Sequence, residues 1–199
     1  GRELALTKET NINADSIAAI QYTGGTTGLS KGAVLTHANL LSNITQTLSH
    51  LGNANGEGCE TFVTPLPLYH IYAFVLSLMV FSKGNANILI PNPRDLDGFV
   101  NTLTQITPTG FCGINTLFVG LCSHPEIKLV DFSKLKLTLS GGAALTSFAY
   151  EQWQKITGCQ ISEGYGLSET SPVVCLNPPG REQIGTIGIP VLDTQVQIW

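Results

Sequence analysis

The sequence predicts an α/β fold, a largely parallel sheet flanked by helices, and three observations carry that prediction. Short apolar runs alternate with longer segments of helical period from Ser16 to Gly166, which calls for crossover connections. Glycine-rich stretches follow Thr23, Ser140 and Gly164, at strand ends where open parallel sheets gather their ligands. Hydrophobic residues are 43% of the 199 and charged residues only 12%, so little solvated surface is available and the sheet is expected to bury both faces.

The elements follow in chain order. "SIAAIQYT" (16–23) reads as a strand and is followed by a glycine-threonine loop. "AVLTH" (33–37) is a second short strand, leading into "ANLLSNITQTLSHL", where Leu40, Leu41, Ile44, Leu48 and Leu51 recur at helical spacing. "TFVTPLP" (61–67) is a strand stopped by its prolines. Residues 71–82 are apolar all round and predict a buried helix, being well short of the ~20 residues a membrane span needs. "NANILI" is a strand, "DLDGFVNTLTQI" a helix, "TGFCGI" a strand and "NTLFVGLCSH" a short helix. "LKLTLSGG" is a strand, "TSFAYEQWQKITG" a helix and "QISEGYG" a strand; the terminal "DTQVQIW" alternates as a strand does. No repeat or low-complexity linker interrupts the series.

Composition excludes some function classes. The formal charge is −4 and basic residues do not cluster, which argues against nucleic acid as a partner. Cys59, Cys112, Cys122, Cys159 and Cys175 form no CxxC pair, so they read as small core residues in a reducing compartment.

Three motifs carry chemistry. In "QYTGGTTGLSKGAVLTH" (21–37), glycines allow backbone N–H groups to converge on an anion, Thr23, Thr26 and Thr27 add hydroxyls, and Lys31 adds a point charge. The set suits a polyphosphate, although it is not a Walker A loop; the alternative is a plain hairpin connection. "EGYGLSETSP" (163–172) offers the flat face of Tyr165 to a base, the Ser168 hydroxyl, and the hard carboxylate that a phosphate-bound magnesium ion wants in Glu169. "LSGGAAL" (139–145) is a strand-to-helix turn of close approach. Taken singly, the last two are more often ordinary packing.

The remaining polar candidates read as structural. His37 packs or caps at a helix start, His50 and His124 lie at the surface, and Asp95 and Asp97 favour a helix N-terminus. Asn115 and Thr116 either edge a pocket or cap a helix.

The motifs together, in this order, resemble those of the adenylate-forming enzymes: acyl-CoA synthetases, luciferases and peptide-synthetase adenylation domains. "YTGGTTGLSKG" is similar to their phosphate loop, "SGGAAL" and "EGYGLSETSP" to their adenine and magnesium motifs, and "PLPLYHIYAF" (65–74) to the motif between them. The wording, with "NILIPNPRDLD" and "KLKLTLSGGAAL", is most similar to bacterial long-chain fatty-acid–CoA ligases, over nearly the whole chain.

The resemblance implies roles. Thr23, Gly24, Gly25, Thr26, Thr27, Gly28 and Lys31 would cradle the β- and γ-phosphates of ATP; Gly141, Gly142, Ala143, Glu163, Gly164, Tyr165 and Gly166 would line the adenine pocket. Ser168 would donate to the α-phosphate, and Glu169 with Thr23 would hold Mg2+. His70 would lie near the acyl carboxylate, with Tyr69 and Phe74 shaping that pocket; Thr23, Lys31, His70 and Glu169 would be the catalytic set. Gly24 and Ser30 stand where many members have serine and proline, and Ser168 stands for the usual threonine, which keeps the hydroxyl.

The implied activity is ATP-dependent activation of a fatty acid to an acyl-adenylate, then transfer to coenzyme A. Residues 1–199 are expected to be part of an AMP-binding (adenylation) domain, the large N-terminal domain of an acyl-CoA synthetase-like fold. An upstream part and a small C-terminal domain are expected outside it, which would leave this piece alone nearly inactive. The alternatives are another adenylate-forming ligase, with a shorter acyl or amino acid substrate, and a non-catalytic nucleotide-binding fragment. The expected location is the cytoplasm, with peripheral contact at the inner membrane face for a long-chain substrate, and exposed sheet edges favour a homodimer.

Overall fold

The computed structural model describes residues 11–23 and 30–199. Strands β1 (Ile17–Thr23) and β2 (Lys31–Thr36) pair antiparallel as a separate hairpin. Helix α1 (His37–Leu51) follows directly. Its start is set by Thr36, whose hydroxyl accepts from Asn39 N–H (3.2 Å) while the Asn39 side-chain oxygen accepts from Thr36 N–H (2.9 Å). The second strand therefore begins two residues before the expected "AVLTH", and His37 is the first helical residue.

The rest is one seven-stranded sheet, ordered β4-β3-β5-β6-β7-β8-β9. Its strands are β3 (Thr61–Thr64), β4 (Ala86–Leu89), β5 (Gly110–Gly113), β6 (Leu137–Ser140), β7 (Ile161–Gly166), β8 (Val173–Leu176) and β9 (Ile189–Pro190). Pairing is parallel from β4 through β7, as the alternation requires, and antiparallel for β8 and β9. The helices between are α2 (Ile71–Ser82), α3 (Leu96–Thr104), α4 (Asn115–Ser123) and α5 (Ser147–Thr157).

Strand alternation divides the core between the two faces. On β5, Phe111 joins Phe99, Phe118 and Trp153 under α3, α4 and α5, with the Phe111 and Trp153 centroids 4.9 Å apart. Its neighbour Cys112 joins Leu40, Ile44, Val75 and Met79 under α1 and α2. Both faces are covered, as the low charge content implied. No helix among the described residues is long and apolar enough to cross a membrane.

Three sequence readings are corrected. Residues 193–199 form no strand: Asp193 turns with φ 55° and nothing in the described structure pairs with the segment that follows. His124 is not a surface residue; its side chain is only 9% exposed and its Nε2 meets Asp97 Oδ1 at 2.8 Å. His50 is half-buried, with Nε2 2.8 Å from the Leu176 carbonyl. Asp95 caps α3 as expected, accepting from Gly98 N–H at 3.0 Å.

Candidate functional site

The carboxyl ends of the parallel strands lie level: Gly113 pairs with Ser140, and Ser140 with Glu163. The glycine turns that follow are therefore neighbours, with Gly164 O within 3.7 Å of where a Gly141 side chain would begin. Gly142 takes φ 81°, a conformation that any residue with a Cβ resists. The chain leaving β7 turns through Leu167–Thr170, closed by a bond from Leu167 N–H to Thr170 Oγ1 (3.0 Å), and this short turn packs against the β1–β2 hairpin.

These segments enclose one cavity of about 420 Å³. Its mouth is made by Thr23, His70, Gly141, Gly142 and the stretch from Gly164 to Glu169. Its interior is mostly apolar, lined by Ile44 of α1, Val75, Leu76 and Met79 of α2, Leu139 of β6 and Leu176 of β8, with the buried hydroxyls of Thr47, Tyr72 and Ser140 among them. Tyr165 is half-exposed at the mouth and Glu169 is exposed.

His70 caps α2: its Nδ1 accepts from Tyr72 N–H at 3.3 Å. With Nδ1 accepting, the neutral ring carries its proton on Nε2. Tyr72 also lines the cavity, and its buried hydroxyl has no hydrogen-bond partner among the described residues. Burial, with Cys112 alongside, holds the phenol well above its usual range, so it stays protonated. The Cys112 thiol is pushed up in the same way.

The anticipated residues do not all reach the cavity. Glu163 is 8% exposed and its Oε1 accepts from Leu145 N–H (2.9 Å), so it holds the 141–145 turn from behind. Lys31 and Ala143 are exposed and stand outside the cavity wall. Gly24, Gly25, Thr26, Thr27 and Gly28 lie outside the described residues. Tyr69, 80% exposed, and Phe74 do not line the cavity. The reason is helical geometry: positions 72, 75, 76 and 79 share one face of α2, and 74 points elsewhere. Asn115 lies at the start of α4, where its Oδ1 accepts from Thr146 N–H and Oγ1, both at 2.9 Å.

Sequence reasoning missed the other half of the wall, Ile44 and Leu176. The available signal was the helical spacing of Leu40, Ile44 and Leu51, which sets which α1 face turns inward. Among the described residues, no three His, Cys, Asp or Glu side chains converge to hold a metal by themselves. A lone exposed carboxylate such as Glu169 has the chemistry that fits Mg2+, an ion that keeps several waters and takes one or two carboxylates plus a ligand's phosphates.

The profile of the AMP-binding enzyme family matches residues 2–199. The chain belongs to that family. This AMP-binding enzyme is 43% identical over 189 residues to a long-chain-fatty-acid–CoA ligase of Salmonella typhimurium, covering 94% of this chain and 34% of the relative. It is 42% identical over 200 residues to the corresponding ligase of Yersinia pestis, covering 100% and 35%. The chain thus spans about a third of the length of the curated relatives it matches. Among solved structures it is similar to ATP-bound MatB from Rhodopseudomonas palustris (TM-score 0.78, 29% identity, 92% of this chain and 35% of that one). It is also similar to a benzoate CoA ligase from Burkholderia xenovorans LB400 (TM-score 0.81, 26% identity, 94% and 37%).

Proposed function

We propose that the protein carrying this chain is a long-chain fatty-acid–CoA ligase, and that residues 1–199 are the part of its adenylation domain holding the nucleotide wall and the acyl cavity. One observation carries the reading: a polar mouth built from glycine turns, hydroxyls and a carboxylate opens into a largely apolar interior between α1, α2 and the sheet. An amphiphile with a carboxylate head and a hydrocarbon tail fits both ends.

In the first step a fatty-acid carboxylate oxygen bonds to the α-phosphorus of ATP and the bond to pyrophosphate breaks. In the second the coenzyme A sulfur, having lost its proton, bonds to the acyl carbon and AMP leaves. The difficulty in the first step is bringing two anions together, so charge neutralisation is the main task. Thr23 at the end of β1, Lys31 at the start of β2 and the loop between them hold the phosphate tail. Ser168 donates to the α-phosphate. Tyr165 stacks on the adenine, with Gly141, Gly142 and Gly164 giving the ring close approach to backbone. His70, through Nε2–H, donates to the acid carboxylate. Glu169, with the Thr23 hydroxyl, would hold Mg2+, which supplies further neutralisation of the phosphates when bound.

The test is AMP release by the full-length protein with palmitate, ATP and coenzyme A, against octanoate, benzoate, malonate and amino acids. Fatty-acid-dependent turnover, falling about 100-fold or more in Lys31→Ala and in Glu169→Ala, is expected. Preference for benzoate, malonate or an amino acid would replace the long-chain reading by another adenylating ligase. Membrane contact is tested separately by co-sedimentation with anionic vesicles, and dimerisation by sedimentation velocity.

A further inference from the structure

We propose that Gln21 is a positioning residue whose carboxamide ties strand β1 to the peptide that starts α2, so that nucleotide held at Thr23 sets the placement of His70. The proposal rests on the reading of the cavity as the ATP and acid site, and takes the next step, which is how its two ends communicate.

Alternation along β1 turns Ala19, Gln21 and Thr23 toward the body of the protein and leaves Ile20 and Tyr22 exposed. Gln21 Nε2 donates to the Tyr69 carbonyl at 2.5 Å, across 48 residues of sequence. Among the described residues, it is the one hairpin side chain besides the Thr36 cap that hydrogen-bonds beyond the hairpin.

The acceptor is the peptide joining Tyr69 to His70. On its other side that peptide is built into the helix start: His70 N–H donates to Pro67 O (3.0 Å), Phe74 N–H to His70 O (3.0 Å), and His70 Nδ1 accepts from Tyr72 N–H. The Tyr69 ring is exposed, so its carbonyl rather than its side chain is what the hairpin grips. Thr23 lies two residues further along the same face and lines the cavity mouth, as His70 does. At its base the hairpin is pinned to α1 through His37 N–H to Ser16 O and Ala38 N–H to Ala14 O. Nucleotide held at Thr23 acts on β1 two residues from Gln21, and the Gln21 bond passes that constraint to the peptide that carries His70.

The test uses histidine-labelled full-length protein, with the His70 ring resonances assigned by His70→Gln. Magnesium-ATP is titrated into wild type, Gln21→Met, Gln21→Asn and, as an outward-facing control, Ile20→Thr. Nucleotide is expected to shift the His70 Nε2 resonance in wild type and Ile20→Thr, and the shift is expected to be lost in Gln21→Met and Gln21→Asn while ATP still binds. In turnover, the loss should raise KM for the acid about three- to ten-fold, the effect of one hydrogen bond, with ATP affinity changed less. A His70 shift that persists in both Gln21 variants, or ATP binding to wild type without any His70 shift, overturns the coupling alone. Failure of wild type to bind ATP overturns the nucleotide reading and the coupling with it.

Discussion

Asn43 stands in for a strand partner of Val173. Its side-chain Nδ2 donates to the Val173 carbonyl at 2.7 Å and its Oδ1 accepts from the Val173 N–H at 3.0 Å, so one buried carboxamide satisfies both backbone groups of a residue 130 positions away. Gln46 and His50, on the same side of α1, reach the carbonyls of Leu192 and Leu176, each at 2.8 Å. Helix α1 thus fastens the antiparallel end of the sheet. Asn43→Ala leaves two part-buried backbone groups without this partner and is expected to cost about 1–3 kcal/mol. Asn43→Asp keeps the acceptor but turns the donor into a second acceptor against the Val173 carbonyl and buries a charge, so it should cost at least as much. Urea denaturation of the three proteins checks the order; equal stability of Asn43→Ala and wild type would remove the strand-partner role.

Glu60 is buried at the entry to β3, and Lys136 Nζ meets its Oε1 at 2.6 Å. Burial alone would raise the carboxyl, but hydrogen bonds from Lys136, Thr109 and the Gly56 N–H outweigh it and hold Glu60 below its ordinary value. A carboxyl depressed in the folded state contributes stability above its unfolded pKa and loses that contribution as pH falls through its folded pKa. Lys136→Met removes the main opposing interaction and leaves burial to dominate. It is expected to cost about 1–3 kcal/mol at neutral pH, less than for a fully buried pair because the lysine is 45% exposed and screened. The acid-side loss of stability should also flatten. Urea midpoints measured from neutral to acidic pH test both, and an unchanged pH slope would mean Glu60 is not held by Lys136.

Much of the fold was legible where local chemistry spells an element boundary. The span of α2 follows from a nearly all-apolar run between His70 and Ser82, and β3 stops at Thr64 because Pro65 has no N–H to give. Strands β8 and β9 were not legible: "SPVVCLNPP" is crowded by prolines, and the Asn43 side chain that meets Val173 lies 130 residues away, which no local pattern reveals. The His124–Asp97 contact likewise joins residues 27 apart that carry no shared signature. At the site, the polar mouth was legible because glycine, hydroxyl and carboxylate types are constrained locally. The apolar interior was not, since Ile44, Val75 and Leu176 become one wall only when α1, α2 and β8 pack together.

Gly166 has no room for a side chain. A Cβ there would sit 2.0 Å from the Pro172 carbonyl oxygen and 2.7 Å from its carbon, both backbone atoms. Gly166→Ala must therefore displace the turn that carries Ser168 and Glu169. A loss of about 1–3 kcal/mol in stability is expected from the overpacking. ATP affinity should fall by more than in Gly120→Ala, at a helical glycine whose Cβ position meets only ordinary contacts with Leu96 and has no part in the cavity. Calorimetric titration with magnesium-ATP separates the two variants. Equal affinities would show that the Gly166 approach does not hold the nucleotide wall.

Val75 and Met79 lie one turn apart on α2, 4% and 2% exposed, and both face the cavity interior. If that interior receives the acyl tail, Val75→Phe fills part of the 420 Å³ and shortens the chain that fits. Because the new ring enters existing space, the stability cost should stay at the low end of about 1–3 kcal/mol. The kinetic effect should depend on chain length: kcat/KM for long saturated acids falls about 10- to 100-fold, whereas short acids and the KM for ATP change little. Competition among short to long acids, run on wild type and variant at fixed ATP, measures this as a change in slope. A uniform loss across the series would point instead to a disturbed His70 cap at the start of α2. An unchanged preference would mean that the tail leaves the mouth by another route.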